Sequence, residues 1–323
     1  MALVKERKQL NLRLPLPLPE KSQRRPSYPL PLPPHPSTNT SFQLSDFTKL
    51  SVLGSGSGGT VYKVAHKLNA NIYALKLISS DPNPTHLRQL CREKEILRRM
   101  ISSESPYIVR CHGIIEKADG DLAILMEYMD EGTLADALKT RGSFCDSEFI
   151  LSKMAYQILN GLKYLHSHKI VHRDIKPSNL LLNSNWDVKI SDFGVGRIMG
   201  RTLDPCNSYV GTCAYMSPER FDPDTYGYGG GNYNGYAADI WSLGLTLMEL
   251  YLGYFPFLQP GQRPDWATLM CAICFGDPPT LPVGRGSPEF RSFVSCCLQK
   301  EATLRWIAFA FLTVSASVVT SQT

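Results

Sequence analysis

At 323 residues, with 43% hydrophobic and 20% charged side chains, the chain reads as globular and can bury one large core or two modest ones. The formal net charge of +5 is mild, no apolar run approaches the ~20 residues of a bilayer-spanning helix, and nine scattered cysteines, an odd number, exclude a disulfide framework. With no charged-then-apolar leader in view, a reduced cytoplasmic setting with a nuclear share is expected.

Residues 1–46 combine basic side chains, Lys5, Arg7, Lys8, Lys21, Arg24 and Arg25 among them, with leucine-proline alternation such as Leu14-Pro15-Leu16-Pro17. Proline removes backbone donors and blocks helix, so this stretch is expected to be a mobile arm of polyproline character. Its cations would serve nucleic acid or an acidic protein groove equally. From Phe47 onward short β-like runs follow, Leu50 to Leu53, Val61 to Ala65 and Ile72 to Ile78, then a helical pattern from Thr85 to Ile101 and two further runs, Cys111 to Ile115 and Leu122 to Tyr128. That predicts a five-stranded lobe with one helix.

After Glu131-Gly132 the apolar period lengthens, with Ile150, Met154, Ile158 and Leu162 every fourth residue, and Ala237 to Leu252 forms a long apolar segment. The second lobe, 132–305, is therefore mostly helical, and the fold class is α+β. Tyr226 to Tyr236 is rich in glycine, tyrosine and asparagine and is expected to be a loop. Cys271 and Cys274 form a CxxC with no second ligand pair for a metal, so both are expected to be buried thiols.

Gly54-Ser55-Gly56-Ser57-Gly58-Gly59-Thr60-Val61 lies between two predicted strands. Glycines let backbone N–H groups approach phosphate oxygens, although a plain glycine-serine hairpin would read the same way. A Rossmann site is disfavoured, because a strand and not a helix follows. Lys76 on the third strand is a cation within reach of phosphates, and Glu93 on the next helix could hold it as an ion pair. Glu95 is the competing carboxylate and is read as a surface residue. The densest signal is His172-Arg173-Asp174-Ile175-Lys176-Pro177-Ser178-Asn179, followed by Ser191-Asp192-Phe193-Gly194. Asp192 and Asn179 offer the oxygen ligands magnesium prefers. Asp174 can orient a hydroxyl and accept its proton, and Lys176 can neutralise a transferred phosphoryl group. His172 is expected to pack the loop.

Together with Ser217-Pro218-Glu219 and Asp239-Ile240-Trp241-Ser242-x-Gly244, these segments match the eukaryotic protein kinase signatures in order, over roughly residues 47–305. The resemblance implies a bilobal kinase fold, with a small lobe at 47–126, a hinge at 127–131, a large lobe at 132–305 and a divergent tail at 306–323. It implies ATP and Mg2+ in the cleft, ATP being held by Leu53, Gly54, Gly56, Gly59, Val61 and Ala74, by Lys76, and by Met126, Glu127 and Met129 at the hinge. It also implies that Glu219 pairs with Arg305.

Thr202 and Ser208, five residues apart before Ser217-Pro218-Glu219, resemble the activation phosphosites of plant MAP kinase kinases. Lys5, Arg7 and Lys8 followed by Leu10 and Leu12 resemble a MAP kinase docking motif, with Arg24-Arg25 and Leu30-Pro31-Leu32 as a second candidate. The family implies a downstream MAP kinase substrate, an upstream MAP kinase kinase kinase, no nucleic acid, no membrane span and a monomer. It usually ends in a His-Pro-Phe motif, which is absent from the run that begins Trp306-Ile307-Ala308-Phe309.

Overall fold

Short runs of strand-forming and apolar residues build five antiparallel strands: β1 (Phe47–Gly56), β2 (Gly59–His66), β3 (Ile72–Ile78), β4 (Cys111–Glu116) and β5 (Leu122–Glu127). Their order in the sheet is β1-β2-β3-β5-β4. The computed structural model describes residues 42–56, 59–79, 94–98, 105–117, 120–192, 213–226, 234–258, 265–305 and 308. All five expected strands form. β1 runs longer than its apolar stretch and is exposed along most of its length, because it is a sheet edge with one side unpaired.

The sheet has two different faces. Val64, Leu75, Ala123 and Leu125 pack with Phe47 on one side, capped by Phe42 and Leu44. On the other side Ile78, Leu122 and Ile124 join the main core, which continues through Ile108, Ile158 and Ile190 to the helical lobe. Of the helix expected over 85–101, residues 94–98 are described and helical, with Leu97 buried; the remainder lies outside the described residues.

The helical lobe begins with α1 (Leu134–Arg141), started by a reciprocal capping box between Thr133 and Asp136. In α2 (Glu148–Ser167) the four-residue period puts Met154, Ile158 and Leu162 in the core. A ribbon of β6 (Leu180–Leu182) and β7 (Val188–Ile190) lies against α2 at Gly161, where a Cβ would come within 2.7 Å of Ile190 Cδ1.

The central α3 (Gly235–Leu252) is apolar around nearly its whole circumference and correspondingly buried. Asn234 caps its start, and Gly253, at φ +87°, ends it in the left-handed conformation. Against it packs α4 (Pro288–Cys297), with Gly244 giving the close approach to Cys297.

Two expectations need correction. Cys274 is buried but Cys271 is exposed, since it opens an irregular π-type turn (Cys271–Phe275) whose wide spacing turns one thiol outward. The loop expected from Tyr226 to Tyr236 is narrower: Tyr226 closes a short helix, Pro223–Tyr226, Asn234 already caps α3, and 227–233 lie outside the described residues. Beyond residue 305, Ala308 is buried in the main core, while the rest of the tail is outside the described residues. Among the described residues no helix is long and apolar enough to cross a membrane.

Candidate active site

Asp239 is the single acidic residue in the first three turns of α3 and is fully buried. Its two carboxylate oxygens take the backbone N–H groups of His172 (3.0 Å) and Arg173 (2.8 Å), and His166 Nε2 lies 2.9 Å away. Burial alone would push its carboxyl up; the hydrogen bond and charge of His166, with the Arg173 amide, outweigh that and hold it below the ordinary range. The loop that starts at His172 is thereby hung from the most buried helix of the lobe.

His172 itself is inaccessible to solvent. Its Nδ1 accepts from the Asp174 amide at 3.2 Å, so Nε2 is assigned as the protonated nitrogen, donating to Ser191 O at 2.8 Å. Both ring nitrogens are committed to the backbone, in keeping with a packing role. Asn179 completes the loop: its Nδ2 donates to Asp174 O (2.8 Å) and Asp174 Oδ2 (2.7 Å), while its backbone carbonyl accepts from Ser191 N and Oγ. Asn179 and Asp192 thus come from two loops that are bonded to each other.

Asp174 is held asymmetrically. Oδ2 meets Asn179 Nδ2 and, at 2.9 Å, Lys176 Nζ; Oδ1 is buried with no hydrogen-bond partner among the described residues. An unpartnered buried carboxylate oxygen needs a donor, which a bound hydroxyl would supply. Lys76, 4% exposed, reaches Asp192 Oδ1 at 2.6 Å. Burial disfavours the charged form of Asp192, but the Lys76 charge and hydrogen bond, with Lys176 behind them, keep its carboxyl below the usual range. The pairing expected between Lys76 and Glu93 lies outside the described residues, as does Glu93; Glu95 is exposed.

The glycine segment separates into two kinds of glycine. Gly59 sits at φ +109°, with a Cβ only 2.1 Å from Leu77 O, so the hairpin itself requires it. At Gly54 and Gly56 a Cβ would meet nothing within 4 Å. Glycine there answers no demand of the chain's own packing, which favours the approach of a ligand over the plain hairpin.

Val61 lies opposite Lys76, and Ala74 opposite Met126, on the sheet face that carries Lys76. Leu53 is 46% exposed at the β1 edge and Met129 is buried. The Glu127 side chain is turned away from that face: Oε1 meets Lys189 Nζ at 2.5 Å and Oε2 the Arg110 amide at 3.2 Å. The donor set suits the expected groups, with a carboxylate and an amide oxygen for a hard cation and a lysine for phosphate. Among the described residues no cluster of three or more His, Cys, Asp or Glu could hold a metal ion by itself.

The expected Glu219–Arg305 pair forms, bidentate at 2.6 Å for both bonds and closed to water. Arg220 Nη1 donates to Arg173 O at 2.6 Å, joining this region to the loop of Asp174. Tyr215 OH donates to Glu249 Oε2 of α3, a contact no sequence motif singled out. A lone carboxylate near the end of an apolar helix was the available signal. Thr202 and Ser208, and the docking residues Lys5, Arg7, Lys8, Leu10 and Leu12, lie outside the described residues.

Comparison with known proteins places these features together. The Protein kinase domain family matches residues 47–314. Mitogen-activated protein kinase kinase 9 of Arabidopsis thaliana is 56% identical over 309 residues, 95% of this chain and 96% of the relative. Mitogen-activated protein kinase kinase 7 of the same plant is 55% identical over 313 residues, 97% of each. In the moss Physcomitrium patens, Mitogen-activated protein kinase kinase 1c is 40% identical over 269 residues, 82% of this chain and 74% of the relative.

Proposed function

The chain belongs to the protein kinase family and, within it, to the MAP kinase kinases, and from that premise we propose that it transfers the γ-phosphate of ATP, with Mg2+, to both threonine and tyrosine in the activation loop of a MAP kinase. The observation that carries this reading is the convergence of Lys76 on Asp192, and of Asn179 and Lys176 on Asp174, across two mutually bonded loops.

In this reading Asp174 orients the attacking hydroxyl through its unpartnered Oδ1 and accepts its proton, a role worth about 10²–10⁴ in rate. Lys176 shares Oδ2 with Asn179 and neutralises charge on the transferred group. Lys76 exchanges Asp192 for the phosphates, and Asp192 with the side-chain amide oxygen of Asn179 would hold the cation. Mg2+, when bound, neutralises phosphate charge. Glu93 steadies Lys76, and the backbone of Glu127 to Met129 receives adenine.

Activation follows from phosphate on Thr202 and Ser208, each adding about −1.5 to −2 charges. Arg173 supports that assignment, since its Nε is buried with no partner among the described residues. The basic Leu-x-Leu segment at Lys5 to Leu12 recruits the MAP kinase, and a MAP kinase kinase kinase acts upstream.

The test offers ATP and a panel of kinase-dead MAP kinases to the purified chain, with phosphosites mapped by mass spectrometry. Threonine and tyrosine of one activation loop are expected to be labelled, and Lys76→Met and Asp192→Ala to abolish labelling with unchanged circular dichroism. Undiminished transfer by both variants overturns the assignment of the site; labelling of serine and threonine alone overturns dual specificity.

A further inference from the structure

We propose that Lys63 is a positioning residue for the nucleotide, its side chain crossing the mouth of the cleft from β2 to the hinge so that the adenine end of ATP is kept in place. The inference rests on the nucleotide reading above and adds a residue which that reading does not use.

Strand register sorts the cleft-facing side chains into two rows. Val61, Lys76 and Ile124 stand opposite one another on β2, β3 and β5, and so do Lys63, Ala74 and Met126, two residues away. Directly opposed residues share a face of an antiparallel sheet, and so do residues two apart on one strand. Lys76 meets Asp192 in the first row, which marks that row as the phosphate end. In the second row Met126 leads directly into Glu127 to Met129, which marks it as the adenine end.

Lys63 belongs to this second row, so its ammonium is aimed away from the phosphates. It is found 4.4 Å from the centroid of the Tyr128 ring, at the hinge. β2 and β5 are separated by β3, about 9–10 Å between backbones, so a side chain that joins them passes along the cleft face at Ala74. Ala74 offers only a methyl group there. The butyl stem of Lys63 then forms an apolar strip along the outer edge of the adenine position, and the ammonium is its anchor.

Asp130, exposed two residues beyond Tyr128, adds to that anchor. Its carboxyl is held below the ordinary range first by the Ser184 amide, with the Lys63 charge contributing at longer distance. The aromatic face of Tyr128 therefore holds the cation on the hinge side of the opening, with the Asp130 carboxylate adding a longer-range attraction. A nucleotide leaving the cleft has to displace this strap.

The test measures steady-state phosphorylation against MgATP concentration, and product inhibition by MgADP, for wild type, Lys63→Met, Tyr128→Leu, the double variant and Lys63→Arg. Each single loss is expected to raise KM for MgATP and Ki for MgADP by about two- to fivefold, the range of an exposed cation–π contact, with a smaller change in kcat. The double variant is expected to be no worse than either single one, and Lys63→Arg, which can still stack on the ring, to stay near wild type. Thermal unfolding of the nucleotide-free proteins runs in parallel. A lowered Tm with unchanged KM means that the contact only braces the sheet, which overturns the proposal, as do additive effects in the double variant. A wild type with no nucleotide-dependent transfer overturns the kinase reading itself, and the inference with it.

Discussion

Replacing Arg305 by methionine removes the cation from a pair whose side chains are 0% and 1% exposed. All five guanidinium N–H groups are used: Nε on Gln299 O, Nη1 on Glu219 Oε1 and Ala237 O, Nη2 on Glu219 Oε2 and Lys300 O. The plane also lies 5.2 Å from the centroid of the Trp241 ring. Arg305→Met therefore leaves the Glu219 carboxylate buried without its cation and takes one donor from each of three carbonyls, Gln299, Ala237 and Lys300. Breaking one side of such a pair costs about 3–5 kcal/mol, out of the roughly 5–15 kcal/mol that holds an ordinary domain folded. Replacing both partners is much milder, because no unpaired charge remains; Glu219→Leu with Arg305→Met is expected to recover at least about 2 kcal/mol of the loss. Urea unfolding followed by far-ultraviolet circular dichroism gives the midpoint and slope for each protein. A loss below about 1 kcal/mol in Arg305→Met, or a double variant as unstable as the single one, would refute the reasoning.

Thr202→Asp with Ser208→Glu is expected to raise kinase activity, and alanine at both to lower it; if both forms match fully phosphorylated wild type in rate, the switch is elsewhere. The depressed carboxyl of Asp239 gives a pH dependence of known sign. Its stabilisation is fully present above the unfolded carboxylate value of about 4 and is lost as pH falls through the lower folded value, so Asp239→Asn should flatten the acid limb of a stability–pH curve. An unchanged limb in that variant would assign acid unfolding to other groups. Deleting residues 1–20 is expected to raise KM for a full-length MAP kinase, but not for a short peptide, and the difference should shrink with salt; equal KM values at low ionic strength leave the arm without a docking role.

The five strands were legible as short apolar runs between turn residues, α2 by its four-residue apolar period, and α3 as an apolar segment too long for a strand. Asp192, Asn179 and Asp174 were legible because the chemistry needs those side-chain types at that spacing. The partner of Lys76 was not, since Asp192 lies 116 residues away and only the fold brings the two together. Nor could spacing tell Gly59, forced by a left-handed backbone against Leu77, from Gly54 and Gly56, which nothing crowds. Cys271 misled for a local reason: an extra residue in the turn of Cys271–Phe275 breaks the helical phase that a CxxC pair would otherwise keep. Lys63 reads in sequence as one more solvated strand lysine, and only register places it beside Ala74.

Arg173 and Asp192 adopt φ of +69° and +54°, a conformation that costs a side-chain-bearing residue on the order of 1–3 kcal/mol unless its surroundings enforce it. At Arg173 both backbone groups are fixed from outside the loop. Its N–H is held by Asp239 of α3, and its carbonyl by Arg220, which directly follows the clamped Glu219. The strained turn that presents Asp174 therefore hangs between a buried carboxylate on one side and a buried ion pair on the other. Asp239 stays when Arg305 is lost, so the loop keeps one anchor and the helix keeps its packing. Arg220 does not, because its position depends on Glu219. Disturbance at Arg305 should then reach Asp174 through Arg220 and Arg173 before the fold as a whole gives way, which makes this distant pair part of what holds the loop of Asp174 in shape.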